Sequence, residues 1–307
     1  MSPSPKSLLS LAKNINNFYF GEFLTNTCIP FICQNCQVGL ISSSVQGYLK
    51  NYPDVFTITN ESVTLSDTLA SVQERNQALE QVLMDLRAKD TFIALRGWRS
   101  ECYEIKSQFS APALFKMERC ATPLFGVRQY GVHINGYVKH STMGLSIWLQ
   151  RRSITKQTWP GKLDSFVGGG LSEGVGVLAT AVKEAAEEAN VPEALAVTMK
   201  PAGSVSFFHQ SERGIHPYTG FVFDLELPET FKPSNNDGEV ADFKLVPVDQ
   251  VVDIITSEDF MITSSAVALD WLIRQGLVTV DKEPDLPEVV ELLHLPLHNL
   301  YRKNVVE

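Results

Sequence analysis

The run 168–191, GGGLSEGVGVLATAVKEAAEEANV, constrains this chain more than any other stretch, because it sets a glycine triplet ahead of an acidic helix. Spacings of three and four put Glu184 on one helix face with Glu187 and with Glu188. Like charges so placed repel. Asn190 and Pro192 also set them near the C-terminal end of the helix, where the macrodipole disfavours negative charge further. A cation offsets both effects. Clustered carboxylates with no Cys or His nearby call for a hard, oxygen-preferring ion such as Mg²⁺ or Mn²⁺. The plainer reading, a solvated acidic face, explains the carboxylates but not the glycines that precede them.

These residues resemble the Nudix box, the loop-helix motif of diphosphate hydrolases, G-x5-E-x7-R-E-U-x-E-E-x-G-U with U aliphatic. With Gly169 as the first glycine, Glu184, Ala185, Glu187, Glu188 and Val191 fall at their places. Val175 stands where the first Glu belongs, Lys183 replaces the Arg and Asn190 replaces the last Gly. Lysine keeps the charge but loses the planar fork of arginine. Asparagine tolerates the left-handed conformation that ends a helix. The resemblance implies an active, divergent box in which Glu184, Glu187 and Glu188 hold Mg²⁺ or Mn²⁺, with the backbone of Gly168 and Gly169 beside the ion.

The flanks resemble one Nudix branch. Residues 147–153 (IWLQRRS) and 159–164 (WPGKLD) look like the strand and loop ahead of the box, and 237–240 with 243–247 look like the late strand. That late segment implies a further ligand or base at Glu239, and a turn residue after Asp237-Gly238 fits the position equally well. Arg151, Arg152, Lys156 and Lys162 are the cations expected to meet a diphosphate, arginine being the better bidentate partner. Strand alternation sends Arg151 and Arg152 to opposite faces, so at most one enters the site. The stretch 211–217 (SERGIHP) is expected as a loop between strands, with Arg213 near substrate and His216 a turn residue.

The segment 95–103 (LRGWRSECY), joined to this box, resembles a fungal and plant branch whose Nudix unit is fused in some fungi to thiamine pyrophosphokinase. That resemblance implies hydrolysis of oxidised or damaged thiamine diphosphates, such as the oxo and oxy forms, to monophosphate and phosphate. Trp98 and Tyr103 would then stack on a substrate ring, although burial in a core is the commoner fate of such residues. A nucleoside or dinucleotide diphosphate hydrolase shares every metal residue. Isopentenyl diphosphate isomerase, a Nudix-fold relative, needs a cysteine where 164–168 (DSFVG) has none. A non-catalytic Nudix-fold binding module draws support from Val175 and Lys183, against the retained Glu triplet.

A net charge of −9 over 307 residues argues against a nucleic-acid surface as the main business. The partner expected is a small-molecule diphosphate, with no nucleic acid and no membrane, for a monomer or homodimer. No apolar run is long enough to span a membrane. The odd count of five cysteines fits a reducing compartment. Cys33-Gln34-Asn35-Cys36 lacks a second pair for zinc and reads as structural thiols. Residues 1–20 carry Lys6 and Lys13 and no acid, faintly like a mitochondrial presequence or else a docking helix, and the cytoplasm is expected.

The fold expected is α+β, a Nudix α/β/α sandwich with a mixed sheet preceded by a smaller α+β domain. The divisions expected are 1–120 for that N-terminal domain, 121–280 for the Nudix domain and 281–307 for a tail that docks on the body. Residues 55–65 read as a hairpin and 66–89 as an amphipathic helix. Strands are expected at 204–209, 220–227 and 242–246, and a final helix at 266–275.

Overall fold

The computed structural model describes residues 7–301 apart from Asn26 and Ser172; Lys6 and residues 302–307 lie outside the described residues. The chain begins with helix α1 (Leu8–Ile15), followed by β1 (Cys28–Cys33), β2 (Cys36–Ser42), α2 (Ser43–Leu49), β3 (Phe56–Ile58) and β4 (Val63–Leu65). These strands form a sheet of order β2-β1-β4-β3. Gln34 and Asn35 both have positive φ (48° and 60°), so the CxxC is the two-residue turn of the β1–β2 hairpin. Its thiols are free, and burial pushes Cys33 up to about 11.

Helix α3 (Val72–Ala88) starts later than the apolar stripe alone predicts. Ser71 accepts from the Glu74 amide while the Glu74 carboxylate accepts from the Ser71 amide, a capping box that fixes the first turn. Buried Arg75 then donates to the carbonyls of Leu69, Ala70 and Leu114, holding 66–70 as a turn against the next hairpin. That hairpin is β5 (Cys102–Lys106) and β6 (Ala113–Glu118), and it leads through short helical turns at Arg119–Phe125 into the second half of the chain.

The second half is built on β7 (Gln129–His140), β8 (Gly144–Arg152), β9 (Leu163–Asp164), β10 (Val167–Gly170), α4 (Val177–Ala189), α5 (Glu193–Ala196), β11 (Lys200–Ser211), β12 (Gly214–Glu226) and β13 (Val240–Pro247). Its 7-stranded sheet runs β11-β12-β7-β8-β13, with β10 on β7 and β9 on β8. The β12–β7 pair is parallel and its neighbours are antiparallel, which makes the sheet mixed. Alternation sorts the core. Trp148, Phe223 and Leu225 pack with Ala181, Ala185 and Ala189 of α4 on one face. Ile147, Leu149 and Val222 pack on the other face, which is covered by α1 and by α6 (Val248–Ile255), α7 (Ser265–Arg274), α8 (Leu286–Leu293) and α9 (Leu297–Leu300). The molecule is a mixed α/β sandwich preceded by an α+β segment.

Two expectations need correction. The glycine triplet is not a loop: Gly168–Gly170 are strand residues of β10, paired to His133, Val132 and Gly131 of β7. The stretch 211–217 is mostly strand, because β11 and β12 meet in a tight turn at Glu212-Arg213, which places His216 within β12 opposite His209. Among the described residues, no helix is long and apolar enough to cross a membrane.

Candidate active site

Three crowded contacts explain the triplet. A Cβ on Gly169 would collide with the Glu184 carboxylate, one on Gly170 with the Tyr103 hydroxyl, and one on Gly168 would stand 2.9 Å from His133 Nδ1. Each glycine therefore clears room for a neighbouring side chain; none of the three needs a left-handed backbone. Glu184 is seated on β10 in this way, and its side chain is 17% exposed against 56% for its partner Lys183, whose Nζ lies 3.7 Å away.

Glu188 is the buried member, 2% exposed. Its Oε2 accepts from the Gly168 amide at 3.0 Å and from Gln150 Nε2 at 3.2 Å. Burial pushes this carboxyl upward, and the nearby Lys156 ammonium and the Gly168 amide draw it back. Lys156 responds in the opposite direction: burial lowers it, and Glu188 partly restores it. Both members of this desolvated pair move toward neutrality, as low dielectric requires. Glu184 is also raised, by burial first, with Glu187 adding to the effect and Lys183 opposing it. Glu187, by contrast, is half-buried, with its side chain 43% exposed, and pairs with Lys183 Nζ at 2.6 Å, one turn back along α4. Asn190 caps the helix with φ 52° and ψ 38°, a conformation asparagine adopts readily in place of glycine.

The expected diphosphate cations separate. Lys156 is buried beside Glu188 and also pairs with the Glu239 carboxylate, so Glu239 stands at the same site on the segment entering β13. Arg152 points inward, but its guanidinium is occupied: Nη1 meets Asp164 Oδ2 at 2.7 Å, while Nε and Nη2 donate to the Thr158 carbonyl. Burial, the largest single effect, works against the Asp164 charge, and Arg152, Ser264 and His133 together outweigh it, holding that carboxyl below its ordinary value. Arg151 points outward to Asp259, at 2.9 Å, and to the Gly161 carbonyl. Lys162 donates to the Glu258 carbonyl on the same outer side. Trp98 lies against the N-terminal core with the Arg87 guanidinium 5.0 Å over its ring. Arg213, at the β11–β12 turn, donates to the Gln157 carbonyl next to Lys156 and lines a cavity of about 360 Å³ that none of the acidic residues on α4 touches. Lys156, Arg152 and Glu239 thus gather with the acids of α4, whereas Arg151, Lys162 and Trp98 do not.

Arg119 and Glu101, which the sequence reading passed over, complete the surroundings together with Tyr103, which it took as a stacking residue. Arg119 Nη1 pairs with Glu101 Oε2 at 3.0 Å, and its guanidinium lies 5.6 Å over the Tyr103 ring. Tyr103 is 8% exposed, and both it and Arg119 lie in the field of Glu184. The signal was present in 95–103, which supplies Arg99, Glu101 and Tyr103, but nothing local ties that segment to a helix some 80 positions later.

Among the described residues, no three His, Cys, Asp or Glu side chains stand as a ready-made metal cage. The donor chemistry nonetheless fits a hard divalent cation. Glu184 and Glu188 offer desolvated carboxylates, and Gln150 Oε1, on the amide that holds Glu188, is buried without a hydrogen-bond partner. Glu187 can join by leaving Lys183.

Comparison with known proteins agrees with this geometry. A domain of unknown function, DUF4743, matches residues 7–129, and the NUDIX domain matches residues 135–267. Nudix hydrolase 24, chloroplastic, of Arabidopsis thaliana is 38% identical over 275 residues, covering 89% of this chain and 72% of the relative. Nudix hydrolase 20, chloroplastic, of the same plant is 36% identical over 281 residues, covering 88% and 74%. An uncharacterized protein of Saccharomyces cerevisiae is 33% identical over 233 residues, covering 72% and 68%. With the family box on α4 and this relationship running through both halves, the chain belongs to the Nudix hydrolases and is a pyrophosphohydrolase of that type.

Proposed function

We propose that the chain hydrolyses damaged thiamine diphosphates, the oxo and oxy forms foremost, to the monophosphate and phosphate in the presence of Mg²⁺ or Mn²⁺. The observation that carries the metal-dependent part is the pair of desolvated carboxylates, Glu184 and Glu188, facing buried Lys156. The thiamine part rests on the resemblance of 95–103 and the divergent box to the Nudix unit fused to thiamine pyrophosphokinase. Residues 1–120, 121–280 and 281–307 are read as the N-terminal, Nudix and tail units of this enzyme.

Glu184, Glu188 and, once free of Lys183, Glu187 hold the ion. A divalent cation in that place supplies Lewis-acid activation and lowers the pKa of a bound water. The remaining work belongs to the chain. Gly168 and Gln150 fix the rotamer of Glu188, so that carboxylate is preorganised. Lys156 offsets charge on the phosphate oxygens, and Glu239 orients Lys156. Arg152 acts at one remove, by neutralising Asp164 beneath the site.

The test is phosphate release from thiamine diphosphate, its oxo and oxy forms, ADP-ribose, NADH and 8-oxo-dGTP, with and without a chelator. Damaged thiamine forms are expected to be preferred, and chelation to stop release until Mg²⁺ is returned. Glu188→Gln is expected to fold normally and lose more activity than the roughly 100-fold typical of outer-shell changes. Wild-type turnover by that variant would remove Glu188 from the metal site; preference for a nucleotide would overturn the thiamine assignment.

A further inference from the structure

The N-terminal segment brings two arginines to the mouth of the site, and they are placed differently. Arg119 is held: Glu101 pairs with it, Tyr103 lies beneath it, and Tyr103 is itself fixed by the space that Gly170 leaves for its hydroxyl. Arg99 is anchored only by its backbone, whose amide donates to Glu118 Oε1 at 3.1 Å. Its side chain is exposed, with no hydrogen-bond or ion-pair partner among the described residues. Both arginines act on Lys156, as does Arg152, so four cations converge on one place. Arg152, Lys156 and Arg119 have carboxylate partners in Asp164, Glu239 and Glu101. Arg99 has none.

We propose that Arg99 and Arg119 bind the diphosphate of the substrate, so that the N-terminal segment supplies the anion-binding wall opposite the carboxylates of α4. This rests on the diphosphate-hydrolase reading of the same site. An unpaired guanidinium beside other cations is disfavoured until an anion arrives, and a diphosphate presents several oxygens to a planar fork. Partial desolvation, then the Arg119 charge, press Arg99 below its ordinary value, and the Glu101 charge offsets them only in part. The arrangement also gives the N-terminal half a reason to be attached: the Nudix half alone offers the diphosphate Lys156 and an arginine already occupied by Asp164 and Thr158.

The proposal is tested on the full chain with Arg99→Gln, Arg99→Lys and Arg119→Lys, and with Arg96→Gln as control. Arg96 is exposed and its guanidinium is engaged by Asp90. Two quantities are read: affinity for imidodiphosphate, a non-hydrolysable diphosphate, by calorimetry with Mg²⁺ present, and kcat and KM for the best substrate. Arg99→Gln is expected to weaken binding and raise KM roughly tenfold, the scale of one hydrogen bond to a charged group, with a smaller change in kcat. Arg99→Lys should recover part of that loss, and the control should match wild type. Hydrolysis by wild type with unchanged imidodiphosphate affinity and KM in the Arg99 and Arg119 variants would overturn the inference and leave the hydrolase reading standing. Arg99-dependent imidodiphosphate binding without hydrolysis of any diphosphate would uphold the inference and overturn that reading. A folded chain that neither binds nor hydrolyses overturns both.

Discussion

Gly169 occupies ordinary strand backbone, and what excludes a side chain there is the Glu184 carboxylate against it. Gly169→Ala should therefore leave the strand intact and push Glu184 aside. Displacing a reacting group by about 1 Å lowers rate by about 10²-fold, and a kcat/KM loss of that size is expected with an unchanged melting curve. Wild-type kcat/KM would show that the seat of Glu184 is irrelevant to turnover. At this scale the sequence was a partial guide. Helical spacing alone put Glu184, Glu187 and Glu188 together, because three and four residues make one face. It could not say that Glu188 is buried under Gln150 while Glu187 stays partly in water, since that depends on which side of α4 meets the sheet.

Among the elements, the β11–β12 hairpin shows where local reading fails. Its strands were legible from their apolar content, but its turn was placed too late, because Pro217 and His216 look like turn residues and are in fact paired with Phe208 and His209. The two imidazoles lie 6.4 Å apart. Burial lowers His209 below its ordinary value, and burial followed by the His209 charge lowers His216 to about 3. The unfolded chain binds protons on these groups near pH 6.5, whereas the folded chain does so only at lower pH. Between those values the unfolded state carries more protons, so their contribution to stability is fully present above about pH 6.5 and declines as the pH falls toward 3. Urea midpoints should drop across that window, and His216→Gln, which keeps a polar contact for Ser211, should flatten the slope. An unchanged slope would place the acid sensitivity elsewhere.

For the whole molecule, the first and the eighth helix close on one another through Asn16. Its Nδ2 donates to the carbonyls of Ala12 and, at 2.8 Å, Leu292, while its Oδ1 accepts from the Phe208 amide at 2.9 Å. One fully buried side chain thus joins α1, α8 and β11. Asn16→Ala would strand the Phe208 amide and the Leu292 carbonyl, and a loss of about 1–3 kcal/mol for each orphaned group is expected. The check is a lower urea midpoint at unchanged slope; an unaltered midpoint would mean that water or a backbone shift satisfies both groups. The 1–20 stretch, which read as presequence or docking helix, contributes Leu8, Leu11, Ala12 and Ile15 to the core beneath the sheet.

What the sequence determined by itself is the chemistry that depends on short spacing: the acidic face of α4, the glycines before it, the apolar alternation of the sheet and the asparagine that ends the helix. These follow from helix and strand periodicity and need no distant partner. Only the tertiary structure decided which cations reach the carboxylates. Arg151 and Lys162 lie close to Lys156 in sequence, yet Asp259 and the Glu258 carbonyl hold them outside; Arg152 reaches the site but is engaged by Asp164, while Arg99 and Arg119 arrive from the other half of the chain. A charged side chain is directed by whatever partner the folded chain sets beside it, and that partner is a property of packing rather than of neighbouring residues.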